Sequence, residues 1–218
     1  MATVADDLAE IVTLADLLDR LGDIPLDRVR FRPTPGTATK ADVLEIHLRT
    51  KRLFELIDGV LVEKAMGFPE SMLAGFILTL LNQFVLPRNL GLVAGEAGMM
   101  KLAPGLVLIP DVSFCSWDRF PGRRFPTASL PDLVPDLAVE VLSKGNTRKE
   151  MARKRHEYFA AGARLVWEVD PKKRIVRVYT APDQFTTVIA SDTLNGGDVL
   201  PEFALPLGEL FGMLDKRG

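Results

Sequence analysis

The apolar positions of this chain change rhythm several times, and each rhythm predicts an element. Leu73, Phe76, Ile77, Leu80, Leu81 and Phe84 recur at i, i+3 and i+4, which predicts a helix with a core-facing stripe over residues 70–86, stopped by Pro87. Upstream, residues 53–63 read as a β-hairpin turning at Asp58-Gly59, a pair that tolerates the positive φ both turn positions require. Two strands are expected next, over 92–102 (interrupted by Gly95 and Gly98) and 106–114, followed by a loop rich in Pro and Arg over 117–135. Residues 137–142 and 165–169 are nearly all apolar, as in strands covered on both faces. Between them, Thr147-Arg148-Lys149-Glu150 is a capping box for a helix that runs to Ala161, with Gly162 after its last turn. Strands over 175–179 and 185–190 and a helix near 207–214 complete the pattern.

The first fifty residues read differently. Thr13 caps a short helix that Gly22 stops, a proline-rich stretch covers 25–36, and Thr39 caps a second short helix. They carry too few large apolar groups for a core of their own. The expected organisation is a helical N-terminal arm over 1–50 and one α/β domain over 51–218, with helices flanking a mixed sheet.

Composition narrows the chemistry. The chain has 218 residues, 47% hydrophobic and 26% charged, enough to bury roughly 70% of its unfolded surface without a metal or disulfide staple. Cys115 is the single cysteine, so no intrachain disulfide and no cysteine-based zinc site can form, and in its apolar strand it reads as core rather than nucleophile. No apolar run is expected to reach the roughly 18 residues of a membrane span, and the N-terminus lacks a signal-peptide pattern, so a cytoplasmic location and no membrane partner are expected. His47 and His156 are the only histidines, which excludes a histidine-rich metal site, and no phosphate-binding glycine loop is present.

The net charge is −2, but residues 147–177 hold ten basic and four acidic residues, a local +6. That block fits an anionic partner such as a nucleic acid strand, and equally a solvated helix followed by a solvated hairpin. Two acidic residues are harder to explain by solvation. Glu140 interrupts Leu137-Ala138-Val139-Glu140-Val141-Leu142, and Asp111 follows Leu106-Val107-Leu108-Ile109-Pro110 and precedes Val112. A carboxylate buried without a partner costs several kcal/mol, so each calls for a metal, a cation or a raised pKa. Carboxylates on adjacent strands offer the oxygen ligands that Mg²⁺ prefers, and such an ion can activate water and stabilise charge on a phosphodiester. Glu55, Glu63 and Glu96 are candidates to complete the acidic cluster, although Glu55 on a half-exposed strand also reads as a paired surface charge. Trp167 and Phe114 are expected in the core rather than as base-stacking platforms.

Phe54-Glu55-Leu56-Ile57-Asp58-Gly59, Ile109-Pro110-Asp111-Val112-Ser113-Phe114, Val139-Glu140-Val141-Leu142-Ser143 and Trp167-Glu168-Val169-Asp170-Pro171 together resemble the Uma-type family of restriction-endonuclease-like proteins, in matching order over residues 53–179. That group is abundant in cyanobacteria and some other bacteria and lies within the PD-(D/E)XK nuclease superfamily. The resemblance implies a restriction-endonuclease-like core carrying extra β-hairpins. It also implies Asp111 and Glu140 as metal ligands, the backbone carbonyl of Val141 as a third, and Glu55 as part of the site. The superfamily lysine, two residues after the glutamate, is here Leu142, and the resemblance places its replacement at Lys154 on the following helix. By helical geometry the stripe of Met151, Tyr158 and Phe159 centres nearest Arg155, leaving Lys154 at its edge, and Lys144 is a further candidate. The expected function is an Mg²⁺- or Mn²⁺-dependent endonuclease hydrolysing DNA, with a homodimer as one arrangement. The alternatives are a degenerate nuclease fold that binds nucleic acid or protein, and a regulatory domain whose carboxylates are neutralised by Arg or Lys.

Overall fold

A computed structural model describes residues 11–65 and 67–216. The first ten residues of the expected arm, Met66, and the last two residues of the expected domain lie outside the described residues.

Two sheets organise the chain. Helix α1 (Leu14–Leu21) is closed at its start by the Thr13–Asp16 capping box and at its end by Gly22 at φ 89°. Strand β1 (Val29–Arg30) and helix α2 (Lys40–Thr50) follow, then the hairpin β2 (Phe54–Ile57) and β3 (Val60–Glu63), with Asp58 at φ 49° and Gly59 at φ 75° as the two-residue turn demands. Helix α3 (Phe68–Val85) starts two residues earlier than its stripe predicts, because Pro69 suits a first turn. It is 18 residues long with mean hydropathy 1.2, so it does reach the length and composition of a membrane span, contrary to the sequence expectation. Its Leu73, Ala74, Ile77, Leu81 and Val85 are nonetheless packed in the core.

The two long strands expected next are four. The first splits into β4 (Gly91–Gly95) and β5 (Met100–Ala103), the second into β6 (Leu106–Leu108) and β7 (Val112–Ser116). Each half belongs to a different sheet. The physical reasons are local: Pro110 has no N–H to continue a ladder, and the segment Gly95-Glu96-Ala97-Gly98 turns the chain. The five-stranded sheet runs β1-β3-β2-β6-β5. The six-stranded sheet adds β8 (Leu137–Val141), β9 (Leu165–Asp170), β10 (Ile175–Ala181) and β11 (Gln184–Ile189) in the order β11-β10-β9-β8-β7-β4. Only β8 and β9 are parallel, and the 14-residue helix α4 (Arg148–Ala161) connects them. A hairpin that the sequence pattern does not resolve, β12 (Thr193–Gly196) and β13 (Leu200–Pro206), leads into α5 (Leu207–Gly212).

Alternation sorts the six-stranded sheet. Val112, Phe114, Leu137, Val139, Val141 and Trp167 face the main core with α3 and α5, as expected for Phe114 and Trp167. The opposite face, with Cys115, Ala138 and Val166, meets Tyr158 of α4 and Met100 and Leu108 of the other sheet. Helix α4 therefore lies between the two sheets. Its buried line is Glu150, Met151, Lys154 and Tyr158, so Lys154 is central and Arg155 lies to one side, the reverse of the sequence expectation. The stripe misleads because α4 buries charged groups as well as apolar ones.

Candidate active site

The strand registers bring the acidic residues into one row. Strands β7 and β8 pair Val112 with Val139, and extending that register by one residue sets Asp111 opposite Glu140 on the face that meets α4. The parallel pairing of β8 and β9 sets Glu168 beside Glu140. Glu55 arrives from the five-stranded sheet. All four carboxylates are buried, with Glu55 1% exposed and not half-exposed as its strand pattern suggested.

Each has named partners. The amide of Val141 donates to Asp111 Oδ2 at 2.6 Å, and Lys64 Nζ lies 2.8 Å from Asp111 Oδ1. Lys154 bridges the two sheets, its Nζ 2.7 Å from Glu140 Oε1 and 3.0 Å from Glu55 Oε1. The Tyr158 hydroxyl donates to Glu140 Oε1 at 2.6 Å, and the amide of Ile109 donates to Glu55 Oε1 at 3.1 Å. Glu168 is taken by Arg155, the ion pair that Arg155's position off the centre of α4 allows, and by Tyr179, whose hydroxyl donates at 3.3 Å. Burial pushes the Glu140 carboxyl up to about 7; Lys154 pulls against it, and the charges of Asp111 and Glu55 add to the rise. Burial alone would lower the Lys154 ammonium, but Glu140, Glu55 and Glu150 outweigh it and raise it, so that cation stays charged.

The remaining candidates separate. Glu63 pairs with Arg52 at the hairpin's outer edge, outside the row. Glu96 is exposed at the crossover from β4 to β5, and with Asp111 and Ser71 it lines a recess of about 380 Å³. Lys144 is exposed beyond β8, and Leu142 carries no charge into the site. Sequence reasoning missed Lys64. It ends the hairpin beside an ordinary Glu63, and only the crossover at Ile109-Pro110-Asp111 brings it to the carboxylates, its ammonium also donating to the carbonyl of Ile109 at 2.7 Å.

The fit to a cation is set by the donors. Among the described residues no cluster of three or more His, Cys, Asp or Glu is arranged to hold a metal ion. Asp111 and Glu140 offer two hard carboxylates and the chain offers carbonyls, a set that suits Mg²⁺ or Mn²⁺ better than thiolate- or imidazole-seeking metals, since Mg²⁺ keeps several of its waters. The Glu140 carboxyl is raised first by burial and then by the charges of Asp111 and Glu55, and a cation at this spot would relieve both.

The +6 block is largely spent inside the protein. Lys149 pairs with Asp19 and Asp23, Arg153 with Glu157, Arg155 with Glu168, and Arg174 with Asp215. Lys173 pairs with Asp170 and Arg177 with Glu168, both at 3.7 Å, and these two join Arg148 and Lys172 along the wall of a recess beside Leu142.

No curated protein matches the chain. Among solved structures, the fold is similar to that of "a putative nuclease belonging to DUF820" from Anabaena variabilis ATCC 29413, at 20% sequence identity and a TM-score of 0.67 over 79% of this chain and 98% of that one. A family profile described as "Uma2: Putative restriction endonuclease" matches residues 41–208, which include Glu55, Asp111, Glu140 and Lys154. The chain belongs to the Uma2 family.

Proposed function

We propose that this protein is a nuclease that hydrolyses phosphodiester bonds of DNA with the help of Mg²⁺ or Mn²⁺, and that residues 51–218 carry the activity while the described part of the arm, residues 11–50, docks against them. The observation that supports it most is the buried row of Asp111 opposite Glu140, crossed by Lys154 from α4. A purely structural site would not gather like charges without matching cations: among the described residues, the cations paired directly with Glu55, Asp111 and Glu140 are Lys64 and Lys154.

In this reading Asp111, Glu140 and the carbonyl of Val141 hold the ion. When bound, it supplies Lewis acidity toward the phosphate and lowers the pKa of water. The protein's own groups do the rest. The Val141 amide and Tyr158 hydroxyl fix the orientation of the two carboxylates, as partners of ligands commonly do. Lys154 opposes the rise that burial imposes on the Glu140 carboxyl, and Glu55 in turn fixes the lysine. The apolar residues packed beside it, Ala138, Val166 and Leu108 among them, lower the local dielectric and so strengthen the charge interactions in the site.

Thermal unfolding with added Mn²⁺ tests the metal site. The wild type is expected to gain stability as Mn²⁺ rises, following the linkage of binding to folding, and Asp111→Ala to gain none. Equal stabilisation of both proteins would remove Asp111 from the site. A regulatory domain neutralised by internal lysines predicts no stabilisation in either.

A further inference from the structure

Two lysines enter the acidic row, and they are not equivalent. Lys154 is held in the middle of α4 with Glu55 and Glu140 both within 3.0 Å, and Tyr158 closes over the same Glu140 oxygen. Lys64 is nearly as buried, its side chain 6% exposed against 4% for Lys154, but it has fewer carboxylate partners. It follows the last residue of β3, and its ammonium touches one carboxylate oxygen, Asp111 Oδ1, and one carbonyl, that of Ile109. Its side chain also lines an open groove of about 390 Å³ together with Lys51, Phe68, Ser71 and Glu96, and that groove adjoins the recess onto which Asp111 opens through their shared Ser71 and Glu96. Lys154 lines neither.

Charge counting gives the consequence. Glu55, Asp111 and Glu140 carry −3 when ionised, and Lys64 with Lys154 carry +2. A divalent cation added to this set would leave it at +1. With Lys64 withdrawn, the same cation brings the set to zero. Lys64 also holds Asp111 Oδ1, while the other oxygen of that carboxylate is occupied by the Val141 amide. An ion on Asp111 and the ammonium of Lys64 carry like charge on the same carboxylate, so they compete for its Oδ1 side. A lysine stem of four methylenes can carry its head from the buried carboxylate into the groove that Lys64 itself lines.

We propose that Lys64 is a resident cation that holds Asp111 until a divalent ion takes that oxygen, and that it then moves into the groove beside Ser71 and Glu96 to meet the phosphate backbone of the substrate. The inference rests on the metal-binding part of the function proposed above. It differs from the expectation for Lys154, which stays fixed in both states.

Lysine labelling read by mass spectrometry tests it on the unmodified protein. Lys64 is expected to be protected from reductive methylation without metal and to become labelled when Mg²⁺ or Mn²⁺ is added, while Lys154 stays protected throughout. Calorimetric titration provides the second arm: Lys64→Met should bind Mn²⁺ about tenfold more tightly than wild type, the scale on which neighbours of metal ligands act. Mn²⁺ bound by wild type and not by Asp111→Ala, with Lys64 labelling unchanged by the ion and no gain in affinity in Lys64→Met, overturns the inference and leaves the nuclease reading standing. Wild type that binds no Mn²⁺ overturns both.

Discussion

Arg28 and Glu150 form a two-pronged ion pair, with Nη2 to Oε1 at 2.7 Å and Nη1 to Oε2 at 3.0 Å, and it anchors the N-terminal arm to the helix that carries Lys154. The same guanidinium donates to the carbonyls of Glu63 and Gly145, so one side chain ties the hairpin, the turn after β8 and α4 together. Arg28 lies outside the residues that the family profile matches. Burial works against the Glu150 charge, but the hydrogen bonds from Arg28 and the charge of Lys154 hold its carboxyl below the usual range. Arg28→Ala strands that charge and should destabilise the protein by about 3–5 kcal/mol in urea unfolding, as for other broken buried pairs. The double variant Arg28→Ala with Glu150→Gln should recover part of the loss. An Arg28→Ala protein as stable as wild type would show that the arm does not brace α4.

Lys154 sits at the centre of the site, and its removal leaves Glu55 and Glu140 facing each other in a buried space. Lys154→Met should therefore cost about 3–5 kcal/mol of stability as well as activity. A lysine at the edge of its helix would have predicted a loss of activity alone. Lys144→Ala, at an exposed position, should stay within about 0.5 kcal/mol of wild type and keep its activity. A Lys154→Met protein with unchanged denaturation midpoint would contradict the bridging role.

Cys115 lies on the face of β7 that meets α4, and burial, reinforced by the charge of Asp136, pushes its thiol up to about 12. The folded protein thus holds the thiol proton more tightly than the unfolded chain does. Stability from this group is complete below the unfolded value near 9 and is lost as pH rises from there toward 12. At pH 8 a thiol reagent should label Cys115 only as fast as the protein opens. Rapid labelling of fully folded protein would place the thiol at the surface.

Nucleic acid binding should depend on what the +6 block leaves unpaired. Replacing Arg148 and Lys172 by Gln should weaken binding to a DNA duplex at about 50 mM salt and reduce the salt slope by about one for each phosphate no longer neutralised. The same change at Lys149 and Arg174, which pair with acidic residues, should matter less. Equal effects from the two sets would mean that the recess is only a solvated surface.

The sequence was legible where one residue settles one local question. Asp58-Gly59 placed the hairpin, the Thr147–Glu150 capping box placed α4, and Glu140 stood out because an all-apolar strand has no use for a carboxylate. It was illegible where two distant segments had to meet. Residues 92–102, interrupted by Gly95 and Gly98, and 106–114 each read as one strand, because the breaks near Gly95 and Pro110 are local signals but the crossing into a second sheet is not. That crossover is what aligns Asp111 with Glu140 and what brings Lys64 to Asp111. Helical periodicity failed at Lys154 for a related reason: it follows apolar positions, and α4 is buried through charges that find partners on both sheets.

Plasmid nicking with and without Mg²⁺ or Mn²⁺ tests metal-dependent cleavage by the Asp111–Glu140 row most directly, with Glu140→Ala as the control. Wild type is expected to relax supercoiled DNA only when the ion is present, and Glu140→Ala to lose roughly 10²–10³ or more of that rate. Nicking that persists without a divalent ion, or that is as fast in Glu140→Ala as in wild type, would contradict it.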